Sequence, residues 1–236
     1  MNNNLICDVN NYIFTKINED RKIKFKELFG EIKGGRGLDL GSGFTGIYWL
    51  LSYVEKIESI DYFDYFDNNI KKLEEILNNI SPEYLNENFS DTINFLEEEK
   101  FIQKNSEELC INIIEKVGEI KQFNFFNEIN NGNNGDYDFI ISSEAIECVE
   151  NYEDFKKVVK NIYNGLNIGG LFIGNILEYK ERNSITDDLI KNKQEGKLNP
   201  SIKTIKKAFL EIGFEIKKLK LIKNNRGNLI YFVGKK

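Results

Sequence analysis

Residues 37–46, Gly-Leu-Asp-Leu-Gly-Ser-Gly-Phe-Thr-Gly, carry the clearest chemical signal in the 236-residue chain. Gly41 and Gly43 fall where a short buried strand runs into a helix. Glycine has no Cβ to hold a ligand off, and a positive φ costs it nothing, so the backbone can approach a bound molecule closely there. Gly41, Gly43 and Gly46 also satisfy GxGxxG, and Asp64 lies about 20 residues further on. The loop predicts a nucleotide-like ligand and leaves open which one.

Three features separate the candidates. Asp39, two residues before Gly41, sets a carboxylate beside the loop, which suits an amino group and would repel a pyrophosphate. That points to the cationic methionine end of S-adenosylmethionine rather than to a dinucleotide. Leu166-Asn167-Ile168-Gly169-Gly170 before a strand is similar to the LxxGG turn of class I methyltransferases, and the closing hairpin to their antiparallel last strand. An NAD-binding Rossmann protein is the alternative, but little chain remains for a separate substrate domain.

Composition narrows the chemistry further. There is no histidine, so Ser/His/Asp triads, zincin sites and His-ligated iron are excluded and no metal site is expected. Protons must be handled by carboxylate, tyrosine, lysine or water. Cys7, Cys110 and Cys148 are too few and too widely spaced for a disulfide framework or a CxxC site, which suggests a cytoplasmic protein. No apolar run reaches the length of a membrane span, and the Asn-rich, charged start resembles no signal peptide. Residues 1–149 hold 14 Lys/Arg against 28 Asp/Glu, residues 150–236 hold 18 against 10. The basic final third reads as a solvated lysine face. With no [ND]PP[YF] motif and a pI near 5.1, a nucleic-acid partner is not expected.

Those residues need a scaffold. Residues 21–29 read as an amphipathic helix, 35–40 as a buried strand, FTGIYWLLSYV as a helix, 56–63 as a strand, and 68–80 as a helix with Ile70, Leu73, Leu77 and Ile80 in register. Residues 81–105 look polar and irregular. Helical SEELCINIIEKVGE and strand IKQFNFF follow, then a break at NEINNGNNGD. YDFIIS at 137–142 is the strongest buried-strand signal, succeeded by helix 151–166, strand 169–176, helical material to Gly213 and two final strands. Pro82 and Pro200 sit at element boundaries. The alternation predicts an α/β, Rossmann-like fold: one domain over 1–236, with a seven-stranded, mostly parallel sheet and an antiparallel last strand. A helical N-terminal lid is expected over 1–34, and an insertion between the second helix and third strand over 81–118.

The stretch GSGFTGIYWLLSYVEKIESIDYFDYFDNNIKKLEEIL resembles the nicotinamide, phenylethanolamine and indolethylamine N-methyltransferases, with the same glycine loop, following tyrosine and Asp-Tyr-x-Asp-x-Asn segment. The insertion is similar too, and the likeness runs faintly over nearly the whole chain. It implies S-adenosylmethionine as cofactor, leaving as S-adenosylhomocysteine, held by Asp39, Gly41, Ser42, Gly43, Thr45, Tyr48, Asp64, Tyr65 and Asn69. Asp64 would grip the ribose hydroxyls, although Asp61 offers the same pattern three residues earlier. Tyr12 would fold over cofactor and acceptor as part of the lid. Asn124 and Phe125 would meet the adenine, Asn124 standing where the family has an Asp, and Ser142 and Ser143 would lie beside the sulfonium. Asn175 replaces the family's Asp at the end of strand five, and the groups that surround nicotinamide have no clear equivalents in 176–182.

For the acceptor, Glu144 and Glu147 after strand four are placed to attract a cationic amine or take its proton, with Glu178, Tyr179 and Asn175 after strand five. Glu144 and Tyr179 are the candidate catalytic groups. The bland reading is a Glu-rich loop that favours a helix N-terminus. Without histidine, an amine or ring nitrogen is easier to methylate than an unactivated hydroxyl. The expected activity is methyl transfer to a small-molecule nitrogen by a monomer or weak homo-oligomer. Alternatives are O- or S-methylation, a guanidinium clamp of Glu144 and Glu153 like that of protein arginine methyltransferases, or a module that binds the cofactor without turnover.

Overall fold

The computed structural model describes residues 22, 25–26, 29–43, 54–102, 105–129, 135–179, 198, 200–224 and 227–236. Their order is β1 (Gly35–Leu40), β2 (Ile57–Asp64), α1 (Asp67–Asn78), α2 (Pro82–Glu98), α3 (Ser106–Lys116), β3 (Val117–Gln122), β4 (Tyr137–Ser143), α4 (Tyr152–Gly165), β5 (Leu166–Tyr179), α5 (Ile202–Ile212), β6 (Glu215–Asn224) and β7 (Gly227–Lys235). One seven-stranded sheet has the order β3-β2-β1-β4-β5-β7-β6. β1 to β5 pair in parallel, and β7 runs antiparallel between β5 and β6.

Alternation along each strand sorts apolar side chains onto two faces. Ile60, Tyr62, Phe139, Ile141 and Ile173 join the core shared with α1, α2 and α3. Leu38, Leu40, Phe63, Ile140 and Phe172 join the core under α4 and α5. Helix starts follow side-chain caps: Ser81, Asn105, Asn151 and Ser201 each accept from a backbone N–H of the first turn. Pro82 occupies the first turn of α2, and Gly213 ends α5 at φ +110°.

The structure departs from the expected elements in three places. The fifth strand runs from Leu166 to Tyr179 rather than over 169–176, so Glu178 and Tyr179, expected after it, lie within it, paired with Asn228 and Gly227 of β7. The stretch expected to be irregular contains α2, whose Leu85, Phe89, Ile93 and Leu96 are buried. Intervening Asn, Glu and Asp residues hide that stripe. The third strand comes earlier than 120–126: α3 ends at Lys116, the chain extends at once through Val117–Gln122, and Phe123–Asn127 leave the sheet as a loop.

Candidate active site

The strand order reverses between β1 and β4, and in open α/β sheets a ligand crevice forms beyond the carboxyl ends at such a reversal. Leu38 and Leu40 are both buried, and Asp39 between them has no exposure at all. No described residue donates to either of its carboxylate oxygens. Burial, and secondarily the charge of Asp64, push its carboxyl well above the usual carboxylate range. The Ser42 and Ser142 hydroxyls are likewise buried without a described partner. Buried polar groups to which no described residue donates fit a site for a polar ligand.

The glycine loop is fastened to β2. The Gly41 and Ser42 N–H groups donate to the Phe63 carbonyl at 2.7 and 3.3 Å. Gly41 has φ +81°, and a Cβ there would lie 2.3 Å from the Ala145 Cβ. Only glycine lets the loop lie against the segment after β4. Asp64, the last residue of β2, accepts from Gly43 N–H at 2.8 Å through one oxygen, and from Phe66 N–H at 2.8 Å and Asn69 Nδ2 at 3.0 Å through the other. Tyr65 beside it is exposed.

Asp61 is spoken for elsewhere. It accepts from Arg36 at 2.7 Å, from the Tyr137 hydroxyl at 2.7 Å and from Glu119 N–H at 2.8 Å. Arg36 also stacks over the Tyr137 ring. Of the two aspartates that share the Asp-Tyr-Phe-Asp spacing, only Asp64 touches the glycine loop.

Past β4 the chain turns sharply at Glu144, a non-glycine residue at φ +55°. The Glu144 N–H donates to the Asn175 carbonyl at 2.9 Å, and its carboxylate accepts from Asn175 Nδ2 at 3.2 Å. Ser143 donates to Asn175 Oδ1 at 2.8 Å. Parallel pairing of Ser143 with Asn175 brings together groups 32 residues apart. Glu147 is buried and accepts from the Leu177 N–H at 3.4 Å, while Glu178 accepts from Asn228. Glu153 lies exposed in the first turn of α4, in surroundings unlike those of Glu144.

The loop after β3 closes one side. Asn124 is exposed and its side-chain Oδ1 accepts from the Phe126 N–H at 3.0 Å; Phe125 comes within 3.4 Å of the position a Gly41 Cβ would take. Tyr12, Thr45, Tyr48 and the side chain of Tyr179 lie outside the described residues. Two partners of the glycine loop lie outside the residues expected at the site: the Phe63 carbonyl, which no side-chain pattern marks, and Ala145, whose small size is its one signal. A separate cleft of about 290 Å³ at the β3 edge, lined by Leu77, Ile114 and Val117 among others, includes none of these residues.

Strand order, glycine loop and buried acidic strand end together define a class I S-adenosylmethionine-dependent methyltransferase. The fold is similar to that of a SAM-dependent methyltransferase from Methanosarcina mazei, 13% identical, covering 87% of this chain and 93% of that one at a TM-score of 0.59. The N-methyltransferase NodS from Bradyrhizobium japonicum, solved with S-adenosylhomocysteine, is 9% identical over 93% of this chain and 88% of its own, TM-score 0.58. A SAM-dependent methyltransferase from Leishmania major is 15% identical over 88% and 68%, TM-score 0.56. At such identities the likeness speaks for the fold. No curated protein sequence matches significantly. The model of the NNMT/PNMT/TEMT family matches residues 21–233, and the chain belongs to that family. Its methyl donor is S-adenosylmethionine. Among the described residues no helix is long and apolar enough to cross a membrane.

Proposed function

We propose that the enzyme methylates a nitrogen of a small-molecule acceptor. The observation that carries this reading is Glu144, a carboxylate held just past the carboxyl end of β4 by both the backbone and the side-chain amide of Asn175 in β5, next to the segment packed on the glycine loop. Membership of the NNMT/PNMT/TEMT family supports it.

When bound, the cofactor supplies a methyl group on a positively charged sulfur, and the protein's task is alignment in a water-poor crevice. Asp39 would hold the amino group of its methionine end. Gly41, Ser42 and Gly43 would line it, Ser142 and Ser143 flank it, and Asp64 would accept from a ribose hydroxyl with the one lone-pair site, on Oδ2, that its three protein donors leave over. Asn69 acts through Asp64. Glu144 would draw a cationic amine to the site and take up its proton, so that the nitrogen arrives with a lone pair. Asn175 keeps the carboxylate turned to that work.

Glu144→Gln retains the shape and removes the charge. Turnover on amines, read as S-adenosylhomocysteine release across a panel of amines, pyridines, hydroxyl compounds and thiols, should fall about 10²-fold or more while cofactor affinity stays put. Equal turnover by both proteins would return Glu144 to a structural part.

A further inference from the structure

Helix α4 presents three residues at i, i+4 and i+8 along the loop that leaves β3. Lys157 Nζ lies 5.5 Å over the Phe126 ring. The Asn161 side-chain amide donates to two loop carbonyls, Phe125 at 3.1 Å and Asn127 at 2.9 Å. A Cβ on Gly165 would meet Ile129 at 3.0 Å. At its near end the loop is tied to β2 by the Phe123 N–H on the Asp64 carbonyl, at 2.7 Å. It therefore spans from the Asp64 strand end to α4, past the glycine loop, with Phe125 turned to Gly41.

Asn161, at the middle of this seam, is only 9% exposed. A neutral amide can donate twice to two carbonyls without bringing a charge under the loop. An aliphatic residue in its place would leave both carbonyls without that donor. From this geometry we infer that Asn161 is a positioning residue for the cofactor: it sets the loop that walls the adenosine side of the crevice, and so tunes cofactor binding without touching the reacting atoms. The inference rests on the methyltransferase reading of that crevice.

The test uses the full chain with Asn161→Leu and the milder Asn161→Ser, whose hydroxyl can serve only one carbonyl. Binding of S-adenosylhomocysteine and of 5′-methylthioadenosine, which lacks the amino-acid end, is measured by calorimetry, with KM and kcat wherever an acceptor is turned over. Asn161→Leu should weaken both ligands by the same factor, about tenfold, with Asn161→Ser between it and wild type. KM for S-adenosylmethionine should rise to match, with kcat changed by less than about twofold. Asn161→Gln, which keeps the amide, should regain part of the loss. If Asn161→Leu fails to fold, the Ser and Gln variants decide. A lower Tm with unchanged affinity for methylthioadenosine would overturn the inference, as would weakening confined to the homocysteine-bearing ligand. Wild-type protein that binds neither ligand would instead overturn the methyltransferase reading.

Discussion

Replacing Asp39 by Asn should stabilise the protein at neutral pH and weaken its cofactor binding. The two effects have one origin, a fully buried carboxylate to which no described group donates. Burial first, and Asp64 second, raise the native carboxyl well above the ordinary aspartate value of 3.8. In the unfolded chain the group ionises near that value, so from there upward the unfolded state releases a proton that the native state retains. Native stability then falls as pH rises, at about 1.4 kcal/mol per pH unit, until the native group itself ionises. Below pH 3.8 both states are protonated and no penalty remains. Asn has no such slope, so the stability gap between variant and wild type should open across that window and stay open at pH 7.

The cofactor reverses the balance. An ammonium against the Asp39 carboxylate makes a charge-assisted hydrogen bond of about 1.5 to 3 kcal/mol, and its loss raises Kd about 10- to 150-fold. Binding to a protonated Asp39 must also expel the proton, so wild-type affinity for S-adenosylhomocysteine should rise with pH up to the native pKa and be flat in the variant. Denaturant unfolding from pH 3 to 8 and calorimetry in buffers of different ionisation enthalpy read both limbs. A variant less stable than wild type at pH 7, yet binding S-adenosylhomocysteine equally well, would refute the reasoning and make Asp39 a cap within the fold.

The other carboxylates separate cleanly. Asp64→Asn should weaken S-adenosylhomocysteine about tenfold or more in calorimetry, because its amide would set a donor against a backbone N–H that now meets an acceptor. Asp61→Ala, by contrast, should lower unfolding free energy by about 2 to 4 kcal/mol, leaving the Tyr137 hydroxyl and Glu119 N–H without their acceptor, while the folded protein binds cofactor normally. Gly41→Ala should remove binding: its Cβ meets Ala145 at 2.3 Å and its φ of +81° strains any side chain, so a crystal structure or NMR spectrum should show the loop displaced.

How much of this the sequence could show depends on the range of each signal. The first strand, 35–40, matches residue for residue, because glycine and apolar residues leave one buried element and one exit at Gly41. α2 escaped notice because its polar face is unusually rich in Asn and Glu, although its stripe has helical spacing. The Glu144, Ser143 and Asn175 cluster depends on a parallel register between strands on either side of a helix, which no local pattern encodes. Asn161 reads from the sequence as one more residue of an amphipathic helix, since its partners are two carbonyls.

The aspartates give the sharpest case. Asp39 and Asp61 are equally buried, at 0% and 1% exposure, and each lies within a strand of the same parallel pair. Around Asp61 the fold supplies a guanidinium, a phenol and a backbone N–H; around Asp39 the described residues supply none. Asp61 is thus bonded within the fold on both of its oxygens, away from the glycine loop. Under the proposed function, Asp39 would become favourable when the cofactor's cation arrives, which is what a binding carboxylate must do if its energy is to go into selecting the ligand. Residue type and burial are the same for both. What distinguishes binding from structure is where the donors lie, a property of the packed sheet that two identical letters in a sequence do not carry.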